Sequence, residues 1–345
     1  TPPTFSSTGN YYYYCEISLN GNGCDNVTSA AGEIQVFNDP IVTDPITTQQ
    51  LCVNTTPTDL QVSASGGMPG ATFTYQWYSN TASSNTGGTI ITGETNPTYT
   101  PNTTSSGTIY YYCIIQQNNG NTGCETISNT AEVIVTPGPT FNTQPQDIQI
   151  CEGATISALT VSYINGVGIP TYQWYSNTVN SITGATIIIG ATNPTYTPQT
   201  TTAGTTYYYC TITLSGGGCP QIESNLAEII VYPDPTINLN PTVSQMICVG
   251  GTIANPLQVG YTNGIGIPTY QWYSNTTNSN TGGTIIPGAN SNLYTPPTFS
   301  STGNYYYYCE ISLNGNGCDN VTSAAGEIQV FNDPIVTDPI TTQQL

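Results

Sequence analysis

The chain has 345 residues, with 19 Asp plus Glu and no Lys, Arg or His, so its formal charge is −19. This removes histidine bases, lysine Schiff bases, arginine clamps on phosphate and imidazole metal ligands, and it sets an all-anionic chain against nucleic acid and anionic membrane surfaces. With 37% hydrophobic residues, 26 Tyr and 3 Trp the chain still has ample material for packed cores, which must rest on apolar burial, β-ladders and disulfides because no side-chain salt bridge can form.

Thr1–Leu51 recurs without change at 295–345, a period of 294 residues. Inside it, Cys52, Cys151 and Cys248 mark a shorter unit, with separations of 99 and 97 residues. The expected organisation is the C-terminal part of a repeat at 1–39, complete repeats at 40–138, 139–234 and 235–333, and the start of another at 334–345. Pro-containing endings such as TPGP and YPDP mark the linkers, because proline resists continuation of a central strand. No apolar run reaches the roughly 18 residues of a membrane span, and an export signal is expected outside this sequence.

Within each repeat the apolar residues alternate with a period of two. Leu159, Val161 and Tyr163 lie on one predicted strand, and Tyr172 and Trp174 on the next. YQWYSN (75–80, 172–177, 270–275) is followed by a GGTII-like segment, then by TYTP or LYTP, a glycine turn, a tyrosine run ending in Cys, and a Gly-rich tip ending in GC. Short strands between turn signals predict a two-sheet sandwich. A Trp some 35 residues before Tyr-x-Cys fits the strand C tryptophan and strand F tyrosine corner of immunoglobulin-like domains. The fold class is therefore all-β: tandem immunoglobulin-like β-sandwich domains in a linear array. Trp77, Trp174 and Trp272 are the expected core residues, with Tyr111, Tyr208 and Tyr307.

Eleven Cys at recurring positions read as disulfides of an oxidising compartment. The last two of each repeat flank the Gly-rich tip, read as the F–G hairpin, at odd separations that suit directly opposed positions. The favoured pairs are Cys113 with Cys124, Cys210 with Cys219, Cys309 with Cys318, and by repetition Cys15 with Cys24. This leaves Cys52, Cys151 and Cys248 unpaired or interdomain. The alternative joins the first Cys either to the strand F Cys of its own domain or to the F–G Cys of the next, locking neighbours together.

The tyrosine runs, such as Tyr110–Tyr112, read first as structural, with alternate members on opposite faces, and second as a ladder of exposed rings for carbohydrate. Asp39, Asp44, Asp234 and Asp333 stand singly beside Pro, too few oxygens for calcium, so no metal, cofactor or catalytic site is expected. No repeating carboxylate pair suits glycoside hydrolysis, and the chain reads as a non-enzyme.

The series YQWYSN, TYTP and GTTYYYC, seen almost whole at 172–210, resembles the repeats of very large surface proteins of Bacteroidota, the SprB-like gliding adhesins among them. That resemblance implies type IX secretion, a place outside the cell on its surface, and a structural or adhesive stalk with a part in gliding motility. The implied partner is surface polysaccharide or another extracellular substrate, with lateral self-association into a multi-chain fibre or tandem carbohydrate binding as alternatives. Nucleic acid is excluded as a partner.

Overall fold

Why these residues form strands is clearest along Ala131–Thr136, where side chains alternate between buried and half-buried, the period-two signature of a strand with one face on a core. Ala227–Tyr232 repeats the pattern. The computed structural model describes residues 3–21, 23–45, 48–118 and 124–336. Most of the expected repeat start at 334–345 lies outside them. Among the described residues every regular element is a strand, and no helix is long and apolar enough to cross a membrane.

The chain divides into two compact units. One comprises residues 1–140 with 163–171 and 212–222; the other comprises 141–162, 172–211 and 223–345. In the first unit the complete repeat has a larger sheet in the order Thr89–Ile90, Thr72–Asn80, Gly107–Asn118, Ala131–Thr136, Thr48–Cys52. Only the last pair is parallel. The second layer consists of Leu60–Gln61 with Thr98–Tyr99 and Pro40–Thr43 with Ser63–Gly66. Between the layers Leu60, Val62, Ile115 and Val133 surround Trp77. Burying an aromatic of that size removes roughly 200 Å² from water, worth about 5 kcal/mol. Its indole N–H is satisfied by the carbonyl of Asn96 at 2.9 Å. The same unit holds residues 1–39, in which Gly9–Tyr13 pairs with Gly32–Val36 and Glu16–Ile17 with Val27–Thr28.

In the second unit the third repeat is built alike. Ser244–Cys248 pairs in parallel with Gly326–Phe331, and Gly303–Asn314 lies between that strand and Ile267–Asn275. Leu257, Val259, Phe299 and Ile328 pack around Trp272, whose indole donates to Ser291 at 2.8 Å. The second repeat contributes the parallel pair Ile148–Cys151 and Ala227–Tyr232, with 204–208 antiparallel to Ala227–Val231. Trp174 donates to Asn193 at 2.9 Å. These are tandem immunoglobulin-like β-sandwiches, with a buried Trp on the strand Thr72–Asn80, Ile169–Asn177 or Ile267–Asn275 of each.

The tyrosine runs are divided between two faces. Tyr111, Tyr208 and Tyr307 are buried on the tryptophan side, their rings against Tyr99, Tyr196 and Tyr294. Their neighbours Tyr112, Tyr209 and Tyr308 point to the other face, yet they too are buried, because each stacks on Tyr78, Tyr175 or Tyr273 within about 5.2 Å. In the first and third repeats a glycine closes this lid. Gly88 and Gly283 donate to the Tyr112 and Tyr308 hydroxyls, and a β-carbon at Gly88 would come within 2.8 Å of the Tyr112 ring.

Candidate functional site

The recurrent polar and covalent geometry of the molecule lies at the ends of its repeats. Each first cysteine ends the strand that pairs in parallel with the last strand of its sandwich, opposite Thr136, Tyr232 or Phe331. The three N–H groups that follow are bound in the same way each time. Val53, Asn54 and Thr55 donate to the carbonyls of Thr136, Thr103 and Cys52; Glu152, Gly153 and Ala154 to those of Tyr232, Thr200 and Cys151; and Val249, Gly250 and Gly251 to those of Phe331, Phe299 and Cys248. The middle residue takes a left-handed φ of 65°, 75° or 79°, which is why Asn or Gly stands there. The result is a rigid base that presents a cysteine.

Two of these bases are occupied. Cys52 is bonded to Cys219, with Cα atoms 5.1 Å apart, and Cys151 to Cys318, 4.8 Å apart, each across a sequence separation of 167. Both bonds join the base of one repeat to the F–G tip of the next. Backbone contacts accompany each bond: the Cys52 N–H donates to Gly217 at 2.8 Å and the Cys151 N–H to Asn316 at 2.9 Å. Gly166 donates to the Pro137 carbonyl of one linker and Gly264 to Pro233 of the other. Val167 and Ile265 direct their N–H groups at the sulfurs of Cys219 and Cys318. At the first junction Leu214, Tyr163 and Val167 pack around the sulfurs. Glycine is required at the tips, since a β-carbon on Gly218 would lie 2.1 Å from Thr55 Cγ2 and one on Gly317 2.4 Å from Ala154 Cβ, both at positive φ.

A family model described as a domain of unknown function (DUF8696) matches residues 45–137, 140–233 and 240–332. The chain belongs to the DUF8696 family. No curated protein matches it. Among solved structures, the I-band fragment I67–I69 of titin is similar at 13% identity and a TM-score of 0.44, covering 86% of this chain and 100% of that one. Sidekick-1 immunoglobulin domains 1–5 are similar at 19% identity and a TM-score of 0.41, covering 96% and 68%. Extracellular domains 3–5 of Drosophila OTK are similar at 16% identity and a TM-score of 0.34, covering 86% and 98%. Likeness this loose transfers no property to the DUF8696 repeats.

The junctions correct the expected cysteine pairing. Cys219 and Cys318 are not bonded to Cys210 and Cys309, and Cys113, Cys124, Cys15 and Cys24 are free thiols. The reason is hairpin register. Cys113, Cys210 and Cys309 lie opposite Ser128, Ser224 and Ser323, whose hydroxyls accept the cysteine N–H at 2.9 to 3.0 Å. The residue opposite is thus 14 or 15 positions away, and the second cysteine falls at the tip, beyond reach. Burial pushes the Cys113 and Cys210 thiols up to about 11 and Cys309 to about 12, so these are inert core groups. Cys248 has the base geometry but is exposed and free.

Trp77, Trp174 and Trp272 are fully buried. Two of the Pro-flanking acids act as backbone acceptors: Asp44 takes the N–H of Asn129 and Asp234 that of Asp319. The one group of three potential metal-ligand residues among the described residues is Cys151, Asp234 and Cys318, and with both sulfurs bonded to each other it offers a single carboxylate. The Gly-rich tip at 216–218 is a hairpin turn and also seats the junction, with Gly217 and Gly218 accepting from the Cys52 N–H and the Thr55 hydroxyl. Spacing did not single out their junction role: Cys52–Cys219 and Cys151–Cys318 share one separation, but Cys52–Cys210 and Cys151–Cys309 are equally spaced as well.

Proposed function

We propose that this chain is the load-bearing repeat region of an extracellular cell-surface adhesin, a stalk of the kind borne by SprB-like gliding proteins of Bacteroidota, and that it has no catalytic role. The observation that carries the reading is the covalent clasp from Cys52 to Cys219, repeated from Cys151 to Cys318. Bonds that leave each core alone and tie successive repeats together serve force transmission and little else. The two disulfides support this reading, because such bonds persist in oxidising compartments. The absence of Lys and Arg removes every trypsin-type cleavage site, an advantage outside the cell. In the three complete repeats the tyrosine runs are buried or half-buried, and the hydroxyls of Tyr110, Tyr207 and Tyr306 are held by Glu132, Glu228 and Glu327.

Pulling single molecules from their ends tests this. The two disulfide loops overlap, so the shortest covalent path crosses the first bond, returns along 151–219 and crosses the second. It is about 146 residues, roughly 500 Å when straightened at ~3.4 Å per residue, against roughly 1,200 Å after reduction. Equal extension with and without reductant would remove the basis of the proposal.

A further inference from the structure

Each junction bond has a third sulfur close to it in sequence. In the third repeat Cys309 is fully buried opposite Trp272, its N–H held by Ser323 and its thiol donating to the Glu310 carbonyl at 3.5 Å. Nine residues further on, Cys318 is bonded to Cys151. The fold keeps the two apart. Cys309 stands five positions before Asn314, which pairs with Ile267, whereas Cys318 is held past that end of the strand against Ile265, whose N–H points at its sulfur from 3.4 Å. At ~3.3 Å per residue the gap exceeds about 15 Å, far beyond the ~2 Å of a sulfur–sulfur bond.

Chain entropy opposes the bond that the fold selects. A link from Cys151 to Cys318 closes a loop of 167 residues, and one from Cys309 to Cys318 would close a loop of nine. In the unfolded chain the shorter loop is favoured roughly 80-fold, from the three-halves power of the ratio of loop lengths. What holds the longer one is the folded seat, where the Cys151 N–H donates to Asn316 at 2.9 Å and Gly317 fits against Ala154. The nine-residue spacing recurs between Cys210 and Cys219, the tip cysteine of the other junction, so both junctions carry the same trio of sulfurs.

We infer that Cys309 and Cys210 are latent nucleophiles which, once load strips their strand from the sheet, move the junction bond into their own hairpin; the inference rests on the load-bearing reading above. The exposed Cys309 thiol gives its proton to water and its thiolate attacks the Cys318 sulfur. The bond from Cys318 to Cys151 breaks, and its electron pair leaves on the Cys151 sulfur, which takes up a proton. One disulfide is consumed and one is formed, so the step needs neither oxidant nor reductant. In the folded repeat it is blocked by distance and by burial, which pushes the Cys309 thiol up to about 12. The junction thereby acts as a fuse: an overloaded pair of repeats releases stored length while the backbone stays whole.

The test holds the oxidised full chain at constant force and pH 8 with no added thiol. The expected record is an arrest near the roughly 500 Å given above, then steps to roughly 1,100 Å once both junctions have exchanged, short of the reduced length by two nine-residue loops. The steps should come about tenfold faster at pH 8 than at pH 7, as the thiolate fraction of an exposed cysteine rises. The chain carrying both Cys210→Ala and Cys309→Ala should stay at the first arrest. In bulk, the parent chain unfolded in urea at pH 8, quenched in acid and mapped by peptides, should show Cys309 bonded to Cys318 and Cys210 to Cys219, formed at least tenfold faster than in the folded chain. Immediate full extension would sink the load-bearing reading. A parent that never leaves the first arrest, a double variant that lengthens as fast as the parent, or native pairs that persist in urea would overturn this inference alone.

Discussion

In the centre of the first repeat Cys113 lies opposite Trp77, fully buried, with no sulfur within bonding reach; at the end of the same repeat Cys52 is bonded to a residue 167 positions away. The strand F cysteine stands where an immunoglobulin domain keeps one half of its intersheet bond, but the facing strand offers Leu60 and Val62. Each core therefore closes on apolar packing alone, and the covalent chemistry moves to the junctions. A core bond would stabilise one repeat, whereas a junction bond couples two.

That division predicts different failures for the two regions. Cys52→Ser should remove the largest single contribution, because a closed loop of 167 residues is worth about 5 kcal/mol of unfolded-state entropy. Urea denaturation checks it, and thiol counting after unfolding checks the pairing itself. Seven reactive thiols are expected from the intact protein, whereas four intrahairpin bonds would leave three. Trp174→Ala should come next, at about 4 kcal/mol for the cavity and lost transfer energy. It should lower the first unfolding force of the second repeat while leaving the oxidised contour length unchanged. If the tryptophan variant also lengthened the oxidised chain, the separation of core and junction would fail.

Alkaline pH sharpens the same contrast from the core side. The three buried thiols have folded values of about 11 to 12, above the ordinary 9.0, so the folded state prefers them protonated. Their contribution is fully present below pH 9 and is lost as pH rises through about 11 to 12. The loss should be on the order of 2 kcal/mol per thiol. Cys210→Ala should lose correspondingly less between pH 9 and pH 11 than the parent, measured by urea midpoints at each pH. The junction sulfurs, being bonded, take no part.

How much of this was legible follows from what kind of signal each feature leaves. Strands and cores were readable because period-two alternation and the Trp-to-Tyr-x-Cys spacing are local. Leu159, Val161 and Trp174 needed no knowledge of partners to be placed inside. The junction was not readable in the same way, because nothing near Cys52 or Cys219 says which sulfur it meets. Hairpin register was the specific source of error. An odd spacing between Cys210 and Cys219 looks like an opposed pair only if the tip is symmetric about them, and the centre of the hairpin lies nearer to the second cysteine.

Ser128 makes that register testable, and here the smallest effect is expected. Its hydroxyl accepts the Cys113 N–H at 2.9 Å and donates to the Asn129 carbonyl at 2.9 Å, while its own carbonyl takes the Asn85 amide at 3.1 Å. The side chain is fully buried, so Ser128→Ala leaves a buried backbone donor without a partner, at a cost of about 1 to 2 kcal/mol. Ser128→Thr keeps the hydroxyl and should recover part of the loss. The equivalents Ser224 and Ser323 make the same bond to Cys210 and Cys309, so each serine-to-alanine change should cost a similar amount. A much smaller loss at all three would mean that the cysteine N–H groups find other acceptors. The register that carries Cys124, Cys219 and Cys318 out to the tips would then rest on strand pairing without the serine latch.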